Sequence, residues 1–109
     1  MNEAVEARLL RLVGLGVRSR GAVVGVERVR EAVSKGKLEL AVVASDASKH
    51  SLSKVVPLLQ ARHVAIARVA SATALGRAVG REQTAAVGIV DRQLAKGIRE
   101  LMDSPPERG

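Results

Sequence analysis

A chain of 109 residues with 47% hydrophobic content is long enough for one domain with a thin core, and too apolar to be disordered by composition. The absence of Cys excludes disulfides, thiolate metal sites and Cys nucleophiles, and the absence of Phe, Trp and Tyr leaves a core of Val, Leu, Ile and Ala. The formal net charge of +7 attracts polyanions, nucleic acid first and anionic membrane second, and the basic residues are interspersed with acids rather than gathered in a tail.

Val5, Leu9, Leu12 and Val13 recur at helical spacing and predict a first amphipathic helix, which Gly14 and Gly16 are expected to end. Arg18-Ser19-Arg20-Gly21 reads as a basic turn, followed by a very short strand at Ala22-Val23-Val24. Gly25 opens a second helix with Val26, Val29, Ala32 and Val33 on one face, and Gly36 stops it. The apolar run Leu38 to Ala44 reads as a buried strand, and Ser45-Asp46-Ala47-Ser48 as a turn with capping residues. Leu52, Val55, Val56 and Leu59 predict a third helix that continues through Pro57 despite its missing N–H. Val64 to Val69 is a second strong strand. Ser71 or Thr73 caps a short helix closed by Gly80, and Arg81-Glu82-Gln83 forms a loop. Thr84 to Val90 is a third strong strand, and Leu94, Ile98 and Leu101 mark a last helix. Residues 104–109 are expected to be a frayed tail.

Strands alternate with helices and are apolar on both faces, so the expected fold is α/β, a sheet covered by helices on both sides, in a single domain over residues 1–103. No apolar run approaches the roughly 20 residues of a membrane span. The start, Met1 to Glu6, is acidic and lacks a signal-peptide pattern, so a cytoplasmic protein without a membrane partner is expected.

Enzyme chemistry finds little support in the residues. His50 and His63 are the only histidines, without metal-site spacing to the acids. The nearness of His50 to Ser45 and Asp46 along the chain is not evidence for a triad, which is a spatial arrangement. Gly76 to Gly80 lacks the Lys-Ser/Thr pair of a phosphate loop. No cofactor, metal or catalytic residue is expected. Without aromatic side chains there is no platform for base stacking, so a nucleic acid would be held by charge, polar side chains and a helix start. The turn at Gly25, with Arg20, Arg28, Lys35 and Lys37 around it in sequence, is the best candidate.

Four pieces in order carry a resemblance. They are Gly25 opening a helix that ends at Lys35-Gly36, the strand and Asp turn Val42 to Ala47, the Leu75-Gly76-Arg77-Ala78-Val79-Gly80 segment, and the strand Ala85 to Val90. Together they resemble the kink-turn-binding ribosomal L-seven-Ae / L-thirty-e family over about residues 20–102. Pro57-Leu58-Leu59 resembles a proline-containing third helix found in members. Arg18 to Gly21 and Asp91 to Ile98 resemble the bacterial YlxQ-type branch.

The resemblance implies a three-layer α/β/α sandwich with a four-stranded mixed sheet. It also implies binding to bent RNA with tandem sheared G·A pairs, rRNA or another kink-turn-like RNA, with the ribosome or translation and transcription factors as further partners. In the family the second helix begins Gly-x-Asn-Glu-x-x-Lys, and a loop before the last strand covers a flipped-out nucleotide. Here Gly25 is kept, but Glu27 stands at the Asn position, Arg28 at the Glu position and Glu31 at the Lys position. A basic residue follows one turn later as Lys35, the Asp of the turn is kept as Asp46, and the covering loop is polar, Arg81 to Thr84. Arg28 cannot accept the hydrogen bonds that a Glu takes from guanine, and Glu31 repels phosphate where the family has a cation. Each lost base contact costs about 1–3 kcal/mol. The RNA-binding residues expected are therefore Gly25, Glu27, Arg28, Glu31, Lys35, Asp46 and the loop residues Lys49 and Arg81. A protein-interaction module that has lost kink-turn readout, and a non-specific nucleic-acid binder, are the alternatives.

Overall fold

The computed structural model describes residues 2–103; the segment 104–109, expected to be a frayed tail, lies outside the described residues. The element order is α1 (Glu3–Arg18), β1 (Ala22–Val24), α2 (Val26–Ser34), β2 (Leu40–Ala44), α3 (Lys49–Ala61), β3 (Ala65–Val69), α4 (Ala72–Ala78), β4 (Ala86–Ile89) and α5 (Arg92–Met102). The strands form one mixed sheet in the order β1-β4-β2-β3, with β4 antiparallel to both its neighbours and β2 parallel to β3. This is the three-layer α/β/α sandwich that the resemblance implies.

Side chains alternate across a strand, and here the alternation divides the core in two. Leu40, Val42 and Ala44 of β2, with Val87 and Ile89 of β4, pack against Leu9 and Val13 of α1, Leu75 of α4 and Ala95 and Ile98 of α5. Ala41, Val43 and Ala86 face the other way, against Val29 and Val33 of α2 and Val55 and Leu59 of α3. Every residue of β2 is buried, which explains its unbroken apolar run. β3 is an edge strand, and Arg68 on it is exposed.

The glycines of α1 do not end it. The helix runs through both to Arg18, and the stop expected at Gly14 and Gly16 is overturned by packing. A Cβ on Gly14 would lie 2.7 Å from the carbonyl oxygen of Ala78, and one on Gly16 would lie 2.3 Å from Leu94 Cδ2. The glycines allow α4 and α5 to pack closely on α1. The strands are also shorter than expected, β2 starting at Leu40 rather than Leu38 and β4 spanning Ala86–Ile89 rather than Thr84 to Val90. Pro57 lies inside α3 as the periodicity predicts. Gly76 to Ala78 is helix, and Gly80 follows with φ +80°.

Candidate RNA interface

The register places the C-terminal ends of β1, β2 and β3 at one end of the sheet, beside the N-terminal end of β4. Val24 pairs with Val87, Val43 with Ala86 and Ala44 with Val69. The helices α2, α3 and α4 therefore begin at this end. The starts of α3 and α4 are closed by their own side chains. Ser48 Oγ accepts from Ser51 N–H at 3.1 Å, and Ser71 Oγ from Ala74 N–H at 3.1 Å. Asp46 Oδ1 accepts from Ala72 N–H at 2.7 Å, tying the turn after β2 to the start of α4.

The start of α2 is different. Its N-cap is Gly25, which offers no side-chain cap. Gly25 N–H donates to Ala86 O at 2.9 Å, anchoring the turn to β4. Its φ of +100° and ψ of 155° lie in a region open essentially only to glycine. A Cβ built there would meet nothing within 4 Å. Glycine is thus required by the backbone and not by crowding, and the helix start lies open to approach. Unsatisfied N–H groups at an uncapped helix start, with the helix dipole behind them, favour an anion.

Two hollows flank this start. One is lined by Arg20, Arg28 and Arg81 with Val23, Val24 and Val79. The other is lined by Val26, Asp46, Ser48, Ser51, Thr73, Gln83 and Thr84. Arg20 is held in the left-handed region at φ +64°, unusual for a side-chain-bearing residue. The loop from Arg81 to Thr84 is set by main-chain bonds. Arg81 N–H donates to Gly76 O at 2.8 Å, and Thr84 N–H to Ala72 O at 3.1 Å. Gly76 makes this possible, because a Cβ there would lie 2.3 Å from Gln83 Cα.

Arg28, Glu31 and Lys35, at i, i+3 and i+7, form one ridge of α2 and line a third hollow with Val23, Lys37 and Val90 beside edge strand β1. Lys35 Nζ donates to Glu31 Oε1 at 2.8 Å. That hydrogen bond, and then the Lys35 charge, hold the Glu31 carboxyl below its ordinary value, with smaller help from Arg28 and Lys37. Glu27 faces the other way, 3.8 Å from Lys54 Nζ of α3, whose carbonyl accepts from Arg30 at 3.1 Å.

Gly25, Asp46 and Arg81 therefore gather around the open helix start, with Arg28 spanning two hollows. Glu27 leans toward α3. Lys35 stands ten residues beyond Gly25, about 15 Å along α2 at the rise of a helix, on the far side of Glu31. Lys49, expected in a loop, is the first residue of α3 and is exposed. Ser51 and Thr73 also line the second hollow, although the sequence marks neither for binding and offers Thr73 only as an alternative to Ser71 as a helix cap. They come from separate segments, and only the Ser48–Ser51 spacing, that of a helix cap, gives a local signal. Of the basic residues expected around Gly25, Arg20 shares the first hollow with Arg28, whereas Lys35 and Lys37 line the third.

Among the described residues no group of His, Cys, Asp and Glu is placed to hold a metal ion, and no helix is long and apolar enough to cross a membrane. His50 is exposed in the first turn of α3, and His63 follows α3 at φ +57°.

Solved structures with this architecture include a protein of unknown function from Bacillus halodurans C, at 30% identity and TM-score 0.81, covering 90% of this chain and 99% of that one. Another is the Giardia lamblia 15.5kD RNA binding protein, at 27% identity and TM-score 0.78, covering 93% and 87%. The RNA-binding protein YlxQ of Bacillus subtilis (strain 168) is 29% identical over 92 residues, 84% of this chain and 92% of its own. Residues 7–100 match the family described as the Ribosomal protein L7Ae/L30e/S12e/Gadd45 family, and the chain belongs to that family.

Proposed function

We propose that this chain is a non-catalytic RNA-binding protein of the translation machinery that recognises a bent or internal-loop RNA at the open start of α2. The observation that carries this reading is the uncapped, unobstructed helix start at Gly25 beside Arg20, Arg28 and Arg81. It offers main-chain donors and guanidinium groups to phosphate, and the second hollow offers hydroxyl, amide and carboxylate groups to base edges. The RNA-binding names of YlxQ and of the Giardia protein point the same way. Gly25, Glu27, Arg28, Asp46, Lys49 and Arg81 form the binding surface, with Glu31 and Lys35 at its margin. Glu27 replaces the family Asn as the base-reading acceptor, and Arg28 turns to phosphate.

The second reading, a protein-interaction module without kink-turn readout, is favoured by one observation. The carboxylates of Glu27 and Glu31 are each drawn to a lysine, Lys54 and Lys35, so neither is aimed without competition at a base. The deciding experiment compares a kink-turn hairpin with the same hairpin lacking its G·A pairs, at about 150 mM salt, where weak exposed contacts are screened. The expected result is a clear preference for the intact kink-turn. Equal, weak binding to both supports the interaction module, and equal binding to duplex DNA supports a non-specific binder.

A further inference from the structure

A groove runs between α1 and α4, on the opposite face of the sheet from α2 and α3. It has a volume of about 540 Å³ and is lined by Leu10, Gly14, Leu15, Ala74 and Ala78 with Arg11, Arg18 and Arg77. Leu15 is 51% exposed and is the one large hydrophobic side chain so exposed among the described residues. The close approach of Gly14 to the Ala78 carbonyl brings the two helices together beneath the groove. The Arg18 guanidinium lies over it, with Nη1 3.7 Å from where a Cβ on Gly14 would stand.

The charge around this floor is of one sign. No acidic residue lines the groove, and α4 contains none. Among the described residues no hydrogen bond or ion pair engages the Arg11, Arg18 or Arg77 side chains. Arginine stems extend an apolar floor while their heads remain in water, ready for carboxylates. An exposed apolar patch rimmed by polar residues marks an interaction surface. A phosphate backbone uses the arginines but leaves the floor of Leu10, Leu15 and alanines without a partner, and no aromatic side chain is present to stack a base. A helix with an apolar stripe flanked by acids satisfies both parts. The stripe from Leu10 to Arg18 is about 12 Å long, the length of two turns of such a helix.

We propose that the α1–α4 groove docks an acidic amphipathic helix of a partner protein. None of its residues belongs to the RNA surface proposed above, so the two readings stand or fall separately.

The test uses the full chain and two fluorescent helical peptides. One carries a leucine stripe flanked by glutamates; the other has lysine at every glutamate position. A third peptide, with the first one's composition in scrambled order, is the control. The expected result is saturable binding of the acidic peptide, with amide chemical-shift changes confined to residues 10–18 and 74–78. The lysine peptide, and the variants Arg18→Glu and Leu15→Asp, should each bind at least about tenfold more weakly, the loss expected of a central interface anchor. Leu15 is exposed, so Leu15→Asp should keep the native circular dichroism; should it unfold, Arg18→Glu carries the test alone. Kink-turn hairpin affinity should not change in either variant. Equal binding of the scrambled peptide, no saturable binding, or shifts elsewhere would overturn the proposal. Loss of hairpin affinity in Leu15→Asp would assign the groove to RNA, and a concentration-dependent dimer abolished by Leu15→Asp would assign it to a second copy.

Discussion

Gly25 has open space around its Cα and a backbone that only glycine adopts without strain. Gly25→Ala therefore tests conformation alone, and should lower unfolding stability by about 1–3 kcal/mol in a urea titration while weakening hairpin binding. Two turns further along α2, Glu31 is held by Lys35, and its folded pKa lies below the ordinary value of 4.5. A carboxyl lowered in the folded state contributes stability above its unfolded pKa and loses it as pH falls through the folded one. The loss therefore belongs to acidic pH, below the ordinary carboxylate range. Glu31 is exposed, so the stability change should be small, and the readout is its side-chain carbon titration by NMR. Lys35→Met should move that midpoint upward. Glu31→Gln should instead free Lys35 for phosphate, tightening hairpin binding and steepening the logarithmic salt dependence by about one unit. An unchanged salt slope would leave Lys35 outside the RNA surface. That Arg28, Glu31 and Lys35 lie off the apolar face of α2 was legible from helical spacing; that they line one hollow was not. The leaning of Glu27 toward Lys54 was not, because it depends on where α3 packs.

At the scale of elements, α2, α3 and α5 followed from their apolar periodicity, and α3 kept its helix through Pro57 because Val55 and Leu59 are buried on either side. α1 did not yield its end so readily. Glycine both breaks helices and lets backbones approach, and local sequence does not distinguish the two uses. The distinction is testable in α4 and α1. A methyl on Gly76 meets the backbone of Gln83 at 2.3 Å, whereas one on Gly16 meets the far end of the Leu94 side chain. Gly76→Ala should cost about 1–3 kcal/mol, displace the loop from Arg81 to Thr84 and weaken hairpin binding. Gly16→Ala should cost less and leave the loop in place, since Leu94 can rotate. Amide exchange of residues 81–84 separates the two outcomes.

For the whole molecule, an all-aliphatic core around one four-stranded sheet leaves little redundancy. Leu40 is fully buried in the central strand β2, and Leu40→Ala should cost about 2–5 kcal/mol by thermal or urea unfolding. That is a large share of the roughly 5–15 kcal/mol that stabilises a typical native protein. A cost near zero would mean that α1 and α5 close over the cavity.

The sequence by itself determined the alternation of strands and helices, the buried central strand and the glycine at the start of α2. Each rests on local physics: side-chain periodicity, an unbroken apolar run, and a backbone conformation that other residues resist. The resemblance carried by four short segments further supplied the sandwich and the strand count. Only the tertiary structure decided which charges meet. Asp46, Thr73 and Gln83 share a hollow because β2, α4 and the loop before β4 converge at one sheet end, and Arg11, Arg18 and Arg77 share a groove because Gly14 brings α1 against α4. These groupings arise from distances between segments far apart in the chain, which no local pattern records.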